Sequence, residues 1–225
     1  MLQPAVGLLR ALPLILFALS ACRSVELRQG FYVSGSAPEL EEKLASLKKT
    51  RETWTDFLPV QEPVQIYLQS RRELPPALYD SESGWISLDP AMPVESFRHE
   101  VAHRLLDLNQ KSKDYWYQEG VALFLEAGSD ASCGALLKLP ARIVATLDES
   151  IPPELPWQNQ NDLANAETAR ELRASAAAFF HFLWREKDFR NFMNAPDPEA
   201  SFEKHRKGFE LYLKLGEYRR ATPGC

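Results

Sequence analysis

Residues 94–125 read VESFRHEVAHRLLDLNQKSKDYWYQEGVALFL, and the architecture of the chain follows from this stretch. Its first part begins after Pro93 and carries apolar residues at helical spacing: Val94, Phe97, Val101, Leu105 and Leu108. This spacing predicts an amphipathic helix over about residues 94–108. After a loop through residues 111–114, the apolar residues around 121–125 predict a second helix that enters the core.

Two histidines and a glutamate lie in the middle of the first helix, in the order His99-Glu100-Val101-Ala102-His103. Residues four apart stack on one helical face, so both imidazoles can reach one ion at Zn–N distances of about 2.0–2.1 Å. Glu100 then lies beside the ion, where it can deprotonate a bound water whose pKa zinc lowers toward about 7. The alternative is a packed helix whose histidines form hydrogen bonds to the backbone or to water. That alternative gives the intervening Glu100 no chemical role.

Glu119 is the predicted third ligand. It follows His103 by sixteen positions, which lets the first helix end and a second helix run back with Glu119 facing the ion. Gly120 lacks a Cβ, and we expect this to let the two helices approach where they cross. Asp107 stays open as a ligand or as the group that orients His103, although a carboxylate near the end of an exposed helix face is more often solvated.

The chain resembles a known family at these residues, which are His99-Glu100-x-x-His103 and Trp116-x-x-Glu119-Gly120-x-Ala122. The pairing of the two motifs resembles the gluzincin metallopeptidases, particularly the bacterial peptidase-MA-like proteins. The resemblance implies a zincin-like fold and a peptide or protein substrate. It also implies that His99, His103 and Glu119 bind zinc and that Glu100 is the catalytic base.

The sequence also departs from related classes of zinc peptidase. A metzincin would carry His at position 109 and Gly at position 106, where this chain has Asn109 and Leu106, so that class is excluded. Thermolysin-like gluzincins carry an Asp four residues after the ligand Glu, and that Asp orients the first imidazole. This chain has Leu123 at that position, so the support for His99 comes from a residue that the sequence does not reveal.

The family resemblance also suggests where a substrate binds. In gluzincins an edge strand lies beside the active-site helix and pairs with extended substrate backbone. The predicted strand at residues 85–88 directly precedes the motif helix, and the resemblance suggests that role for it. Packing of Trp85 in the core is an equally good interpretation.

The N-terminus predicts an exported lipoprotein. Arg10 precedes an apolar segment at residues 11–18, and Leu19-Ser20-Ala21-Cys22 then resembles the lipobox cut by the lipoprotein signal peptidase. This apolar segment is too short for a bilayer core of about 30 Å, which favours a cleaved signal peptide over residues 1–21. We expect a single domain over residues 22–225, held in the bacterial cell envelope by acyl chains on Cys22. An ordinary secretory signal with an incidental Cys22 is the alternative.

The composition of the chain bears on nucleic-acid binding and on disulfide formation. Removal of residues 1–21 takes away one Arg and leaves 25 Lys+Arg against 31 Asp+Glu, a net charge of −6 that gives no support for nucleic-acid binding. Outside Cys22 the chain has Cys133 and Cys225, which can pair as a disulfide in an oxidising exported location. Neither has metal-ligand spacing relative to the other.

The remaining pattern predicts an α+β fold. Strands are expected at residues 27–33, 64–68 and 85–88, and helices at 38–58, 167–186 and 199–218. A further helix is expected at 135–147, interrupted at Pro140, and a long loop around residues 152–165. A small N-terminal mixed sheet would pack on a mainly helical zincin-like metallopeptidase domain.

These observations favour a lipid-anchored zinc metallopeptidase that hydrolyses peptide bonds. Two alternatives remain: a catalytically silent zincin-like lipoprotein that serves as a docking module, and a zinc amidohydrolase on cell-wall peptides. The intact Glu100 argues against the first, because a binding module has no chemical need for a base. An oxyanion-stabilising side chain is expected among Tyr115, Tyr117, His181 and Tyr212, with His181 more readily interpreted as a core histidine.

Overall fold

A five-stranded mixed sheet forms from the N-terminal half of the chain, in a computed structural model that describes residues 25–28, 30–35, 37, 39–59, 63–68, 77–127, 136–150 and 166–223. The strands are β1 (Val25–Arg28), β2 (Phe31–Ser34), β3 (Val64–Leu68), β4 (Ala77–Asp80) and β5 (Trp85–Leu88). Their order across the sheet is β1-β2-β3-β5-β4, with β2, β3 and β5 parallel and the two outer strands antiparallel to their neighbours. The predicted α+β class with a small mixed sheet is confirmed.

Helices form most of the remaining described chain. They are α1 (Leu40–Trp54), α2 (Val94–Leu108), α3 (Tyr115–Ala127), α4 (Ala141–Glu149), α5 (Ala166–Arg185), α6 (Phe189–Met193) and α7 (Pro198–Lys214), followed by a 3-10 turn at Glu217–Arg219. The pair β6 (Leu136–Leu137) and β7 (Thr222–Pro223) joins the end of the chain to the segment before α4. Each predicted helix outside 135–147 matches an observed helix to within a few residues at each end.

Two predictions of local structure were wrong in part, and one strand was missed. The expected strand over residues 27–33 is a hairpin, because Gly30 takes a φ of +84° and turns the chain between β1 and β2. The helix expected at 135–147 starts only after Pro140, in keeping with the preference of proline for a helix start. Strand β4 was not predicted at all, since its half-exposed residues give a weak alternating pattern.

Strand β4, not β5, is the edge of the sheet beside α2. Strand β5 lies between β3 and β4 and uses both of its sides for pairing, so it has no free edge. The substrate-pairing role suggested for residues 85–88 is therefore wrong on topology. Trp85 is not in the core either, because it is half exposed and stacks on Tyr67 at a ring distance of 6.0 Å.

The turn between α2 and α3 is fixed by specific contacts. Gln110 has a positive φ of 51°, which ends α2, and the Asn109 side chain donates to the backbone O of Leu105 at 2.9 Å. The Lys111 ammonium donates to the backbone O of Met193 at 2.6 Å. The backbone carbonyl of Asp114 then accepts a hydrogen bond from the backbone N–H of Gln118, where α3 begins. These contacts set the return angle of α3 along α2.

Helix α3 crosses α5 at Gly120, not α2 as expected. A Cβ built at Gly120 would lie 2.8 Å from the Cβ of Ala176 and 2.9 Å from ring carbons of Phe180. Both neighbours belong to the fully buried face of α5. The missing side chain therefore lets α3 and α5 pack closely, and this places the adjacent Glu119 at the helix interface.

We expect Gly120→Ala to lower the free energy of unfolding by about 1–2 kcal/mol. Overpacking in a tight core costs about 1–3 kcal/mol, and the better helix propensity of alanine returns at most about 1 kcal/mol. Urea denaturation followed by circular dichroism measures the change. The matched control is Gly208→Ala, where the new Cβ would meet only the ring edge of Phe182 at 3.1 Å. An equal effect of both substitutions would contradict the close crossing at Gly120.

The predictions for the N-terminus and the cysteines lie outside the described residues. The signal segment at residues 1–21, the lipidation site Cys22 and both members of the predicted disulfide, Cys133 and Cys225, belong to this part of the chain. Within the described residues, no helix combines the length and the apolar character needed to span a membrane.

Candidate metal centre

Three side chains from α2 and α3 converge on one point. The Nε2 atoms of His99 and His103 are 3.1 Å apart. The carboxylate of Glu119 lies 3.3 Å from Nε2 of His103 and 3.8 Å from Nε2 of His99. Among the described residues, these three form the one group of His, Cys, Asp or Glu side chains close enough together to hold a metal ion. The structure thus brings together the three predicted ligands.

The spacing of these atoms fits a small tetrahedral ion. Ligand atoms that bind zinc tetrahedrally at about 2.0–2.1 Å lie about 3.3 Å from one another. The two Nε2 atoms are 3.1 Å apart, Oε1 of Glu119 is 3.3 Å from His103, and its other oxygen, Oε2, is 3.8 Å from His99, so the three groups are spaced close to that value. Three protein ligands leave a tetrahedral ion with one open position, which is the pattern of catalytic rather than structural zinc sites.

Glu126 provides the support for His99 that the sequence did not reveal. Its Oε2 lies 3.3 Å from Nδ1 of His99, although the contact lacks the alignment of a full hydrogen bond. Glu126 follows Glu119 by seven residues, so both carboxylates lie on one face of α3. The side chain of Glu126 is only 6% exposed and is held in turn by the Arg142 guanidinium from α4. This carboxylate favours a proton on Nδ1 and leaves Nε2 of His99 free as a ligand.

Gln118 lies beside Nδ1 of His103, as Glu126 lies beside Nδ1 of His99. Its Nε2 donates to the backbone O of Ser112 at 2.5 Å, which turns its Oε1 toward Nδ1 of His103 at a distance of 3.4 Å. An amide oxygen can only accept, so it favours the tautomer of His103 with a proton on Nδ1. Both histidines therefore have an acceptor at Nδ1 and direct Nε2 toward the shared point.

Tyr79 connects the edge strand β4 to the motif helix in three ways. Its backbone N–H acts on the carboxylate of Glu100 and lowers the pKa of that group. Its ring stacks on His103, with the ring centres 6.4 Å apart and the planes 8° from parallel. Its hydroxyl donates to Asp107 Oδ2 at 2.7 Å. Strand β4 thus fixes the positions of both the predicted base and one predicted ligand.

Asp107 is occupied away from the metal cluster. Besides Tyr79, it forms ion pairs with Arg104 and Lys113. It does not belong to the group that surrounds the shared point. The alternative of Asp107 as a metal ligand therefore has no geometric support.

The electrostatics of the cluster favour an added positive charge. Burial lowers the pKa of His99, but the carboxylates of Glu126, Glu119 and Glu100 outweigh this effect and raise the pKa overall. Burial acts to raise the pKa of both Glu119 and Glu126, yet nearby imidazole and guanidinium groups hold both pKa values below the usual range. Both carboxylates are therefore anionic near neutral pH, as a cation site requires.

Glu100 has the opposite tendency. Burial raises its pKa by more than His99, His103 and the N–H of Tyr79 lower it. Its side chain lines the same cleft as Glu119 but is not one of the three clustered groups. A carboxylate with a raised pKa beside a cation site holds a proton more readily than a solvated carboxylate does, as a group that accepts and returns a proton must.

The cluster opens into a cleft of about 580 Å³ between α2, α3, α4 and α5, with Ala77 of β4 at its wall. Its described lining includes three arginines that the sequence analysis did not single out, namely Arg142, Arg170 and Arg173. Arg142 and Arg170 form ion pairs with Glu126 and Glu149 respectively. The cleft is therefore a groove with charged side chains in its walls that leads to the clustered side chains.

The four candidates for oxyanion stabilisation differ in their burial and in the partners of their side chains. His181 is 1% exposed and contacts the hydroxyl of Tyr212 at 2.7 Å, which confirms it as a core histidine and also occupies Tyr212. The hydroxyl of Tyr117 is buried against the sulfur of Met193 at 3.3 Å. Tyr115 is half buried, and the pKa of its hydroxyl is raised by burial and by Glu119. Of the four, Tyr115 is therefore the one whose hydroxyl interacts with a clustered side chain.

Of the two residues that the sequence analysis missed, Glu126 carries a weak signal in the sequence and Tyr79 carries none. Glu119 and Glu126 are the two acidic residues of an otherwise apolar helix, seven residues apart, and that spacing marks a shared buried face. A second carboxylate on the buried face of α3 is the signal that would have found Glu126. Tyr79 has no comparable signal, because its contacts depend on how the edge strand lies against α2.

We expect Glu126→Gln to weaken zinc binding by about 10- to 100-fold, the range for loss of a hydrogen-bond partner behind a metal-bound histidine. The substitution keeps the size of the side chain but removes the negative charge beside Nδ1 of His99. Competition with a chromogenic chelator measures the affinity. Glu149→Gln is the matched control, because Glu149 lies on the exposed side of α4 and pairs with Arg170. Equal zinc affinity in both variants would show that Glu126 does not support the site.

No family model matches the chain, and neither a curated protein nor a solved structure matches it. The function is therefore inferred from the geometry and chemistry of the cluster and its cleft.

Proposed function

We propose that the protein is a zinc-dependent metallopeptidase with a zincin-like domain. The observation that carries the proposal is the convergence of His99 Nε2, His103 Nε2 and the Glu119 carboxylate at mutual distances of 3.1 to 3.8 Å. His99, His103 and Glu119 would hold the zinc, which would supply an acidified water and a Lewis acid for a carbonyl group. The cleft beside the cluster has the size of a small-ligand or peptide site.

Glu100 is the general base in this proposal. It lines the cleft, and both histidines and the backbone N–H of Tyr79 act on the pKa of its carboxylate. The carboxylate accepts a proton from the attacking water and donates it to the leaving amine. Tyr115 is the preferred side chain to donate a hydrogen bond to the developing oxyanion, since Glu119 raises the pKa of its hydroxyl, whereas the hydroxyls of Tyr117 and Tyr212 have buried partners.

Strand β4 is the proposed docking edge for the substrate backbone. Alternate residues of an antiparallel strand direct their backbone groups to the same side, so Ala77 shares the side of Tyr79, whose N–H points to Glu100. Ala77 also lines the cleft. An extended peptide that pairs with this edge lies along α2 with its backbone close to the clustered side chains.

The proposed location is the bacterial cell envelope. The lipobox-like sequence at Leu19–Cys22 supports a lipid anchor on Cys22 and therefore exposure to envelope proteins or peptides. Globomycin, which blocks the lipoprotein signal peptidase, is expected to increase the mass of the expressed chain by that of residues 1–21.

Removal and return of the metal tests the proposed activity. The purified protein is treated with a chelator, assayed on a mixed peptide library by mass spectrometry, and assayed again after addition of zinc. We expect cleavage in the parent protein, no cleavage after chelation and recovery with about one zinc per chain. Bound zinc without cleavage of any peptide would instead favour a docking module. Cleavage confined to cell-wall peptides would favour the amidohydrolase.

A further inference from the structure

We infer that the substrate carries a carboxylate close to the bond that is cleaved, and that Arg173 binds this group. The inference rests on the proposed function and adds a substrate class to it. Arg173 lies on α5 and lines the cleft that also contains His99, Glu100 and Glu119. Its charge acts on both Glu119 and Tyr115, which places the guanidinium near the metal cluster.

Arg173 differs from the other two arginines of the cleft in its partners. Arg142 is paired with Glu126, and Arg170 is paired with Glu149. Arg173 donates from Nε to the backbone O of Ala169 at 3.2 Å. Within the described part of the chain its two terminal nitrogens have no carboxylate partner, so the forked face of the guanidinium is available to a ligand.

The charge balance of the cleft supports an anionic ligand. Among the described lining residues, the four carboxylates of Glu95, Glu100, Glu119 and Glu126 face the three guanidinium groups. A divalent cation at the cluster changes the balance from −1 to +1. A cleft that is positive when loaded attracts an anion, and a guanidinium binds a carboxylate through two parallel hydrogen bonds.

The local packing keeps Arg173 in place. The neighbouring Leu172 and Ala174 are buried, and Ala176 packs against Gly120 of α3, so this turn of α5 is fixed relative to Glu119. A guanidinium that is already in position loses little conformational entropy when a ligand binds. It therefore selects ligands by the place of their carboxylate and not only by their charge. The carboxylate that it binds is either an acidic side chain or the C-terminus of the peptide.

Two pairs of peptide hydroxamates test the inference on the zinc-loaded protein. Hydroxamates bind zinc directly, so affinity is measurable by calorimetry without turnover. The first pair differs only in glutamate against glutamine beside the hydroxamate, and the second only in a free C-terminus against an amide. We expect about tenfold tighter binding of the acidic member in at least one pair, as one charge-assisted contact gives. The pair that responds identifies the source of the carboxylate.

Substitutions at Arg173 test whether this residue causes the preference for the acidic hydroxamate. Arg173→Gln is expected to abolish the difference within the responding pair, whereas Arg173→Lys retains part of it. Arg170→Gln, which removes an arginine already paired with Glu149, is the matched control and keeps the difference. Equal binding of both members of both pairs by zinc-loaded parent protein would overturn the inference alone. A parent protein that binds no zinc would instead remove the proposed function on which the inference rests.

Discussion

Glu100→Gln is expected to lower kcat by about 10²- to 10⁴-fold while zinc remains bound, because general acid–base catalysis contributes an effect of that size. Glutamine keeps the shape of the side chain and its contact with the N–H of Tyr79, but it cannot accept the proton of the attacking water. Since Glu100 is not one of the three clustered groups, its loss leaves the metal ligands unchanged. Peptide cleavage and zinc content are measured on the same preparation.

The control for this experiment is Glu95→Gln. Glu95 also lines the cleft and lies on α2, but it pairs with Arg98 and is not one of the three clustered groups. We expect near-parental turnover from this variant. Comparable activity of Glu100→Gln and the parent would remove the general base from the account, and loss of zinc from Glu100→Gln would mean that Glu100 is a ligand instead.

Glu119→Ala has the second large expected effect, a loss of about a thousandfold in zinc affinity. Apparent zinc binding free energies in protein sites are about 10–16 kcal/mol, so one of three protein ligands contributes about 4 kcal/mol, which is about a thousandfold. The remaining two imidazoles cannot close the site, because their Nε2 atoms reach the ion from one helix only. Chelator competition gives the dissociation constants of the variant and the parent.

Asp107→Ala is the matched control for Glu119. Asp107 lies four residues after His103 and is the other carboxylate near that imidazole, but its partners are Tyr79, Arg104 and Lys113. We expect its removal to change zinc affinity far less than removal of Glu119. A larger loss in Asp107→Ala than in Glu119→Ala would identify Asp107 as the ligand and contradict the observed cluster.

The motif helix was predictable because all of its information is local. Apolar spacing gave the bounds of α2, and the spacing of His99 and His103 placed both imidazoles on one face. The proximity of Glu119 followed from a short loop between two helices, which restricts the second helix to an antiparallel return. Contacts within α2 and α3 therefore depend on period and loop length, which a sequence displays.

The surroundings of the cluster were not predictable to the same degree. The contact between Arg142 and Glu126 joins residues on different helices, and nothing in either local pattern indicates it. The role of Tyr79 depends on β4 as the edge of the sheet, and the order of strands is set by long-range pairing. Gly120 was correctly expected at a helix crossing, but its partner helix α5 lies some fifty residues further along the chain.

Zinc-edge anomalous diffraction from crystals of the zinc-loaded protein tests the metal centre most directly. We expect one strong anomalous peak at about 2.0–2.2 Å from Nε2 of His99, Nε2 of His103 and a carboxylate oxygen of Glu119. A peak at any other group of side chains, or none at this cluster in zinc-saturated crystals, would contradict the proposed metal centre.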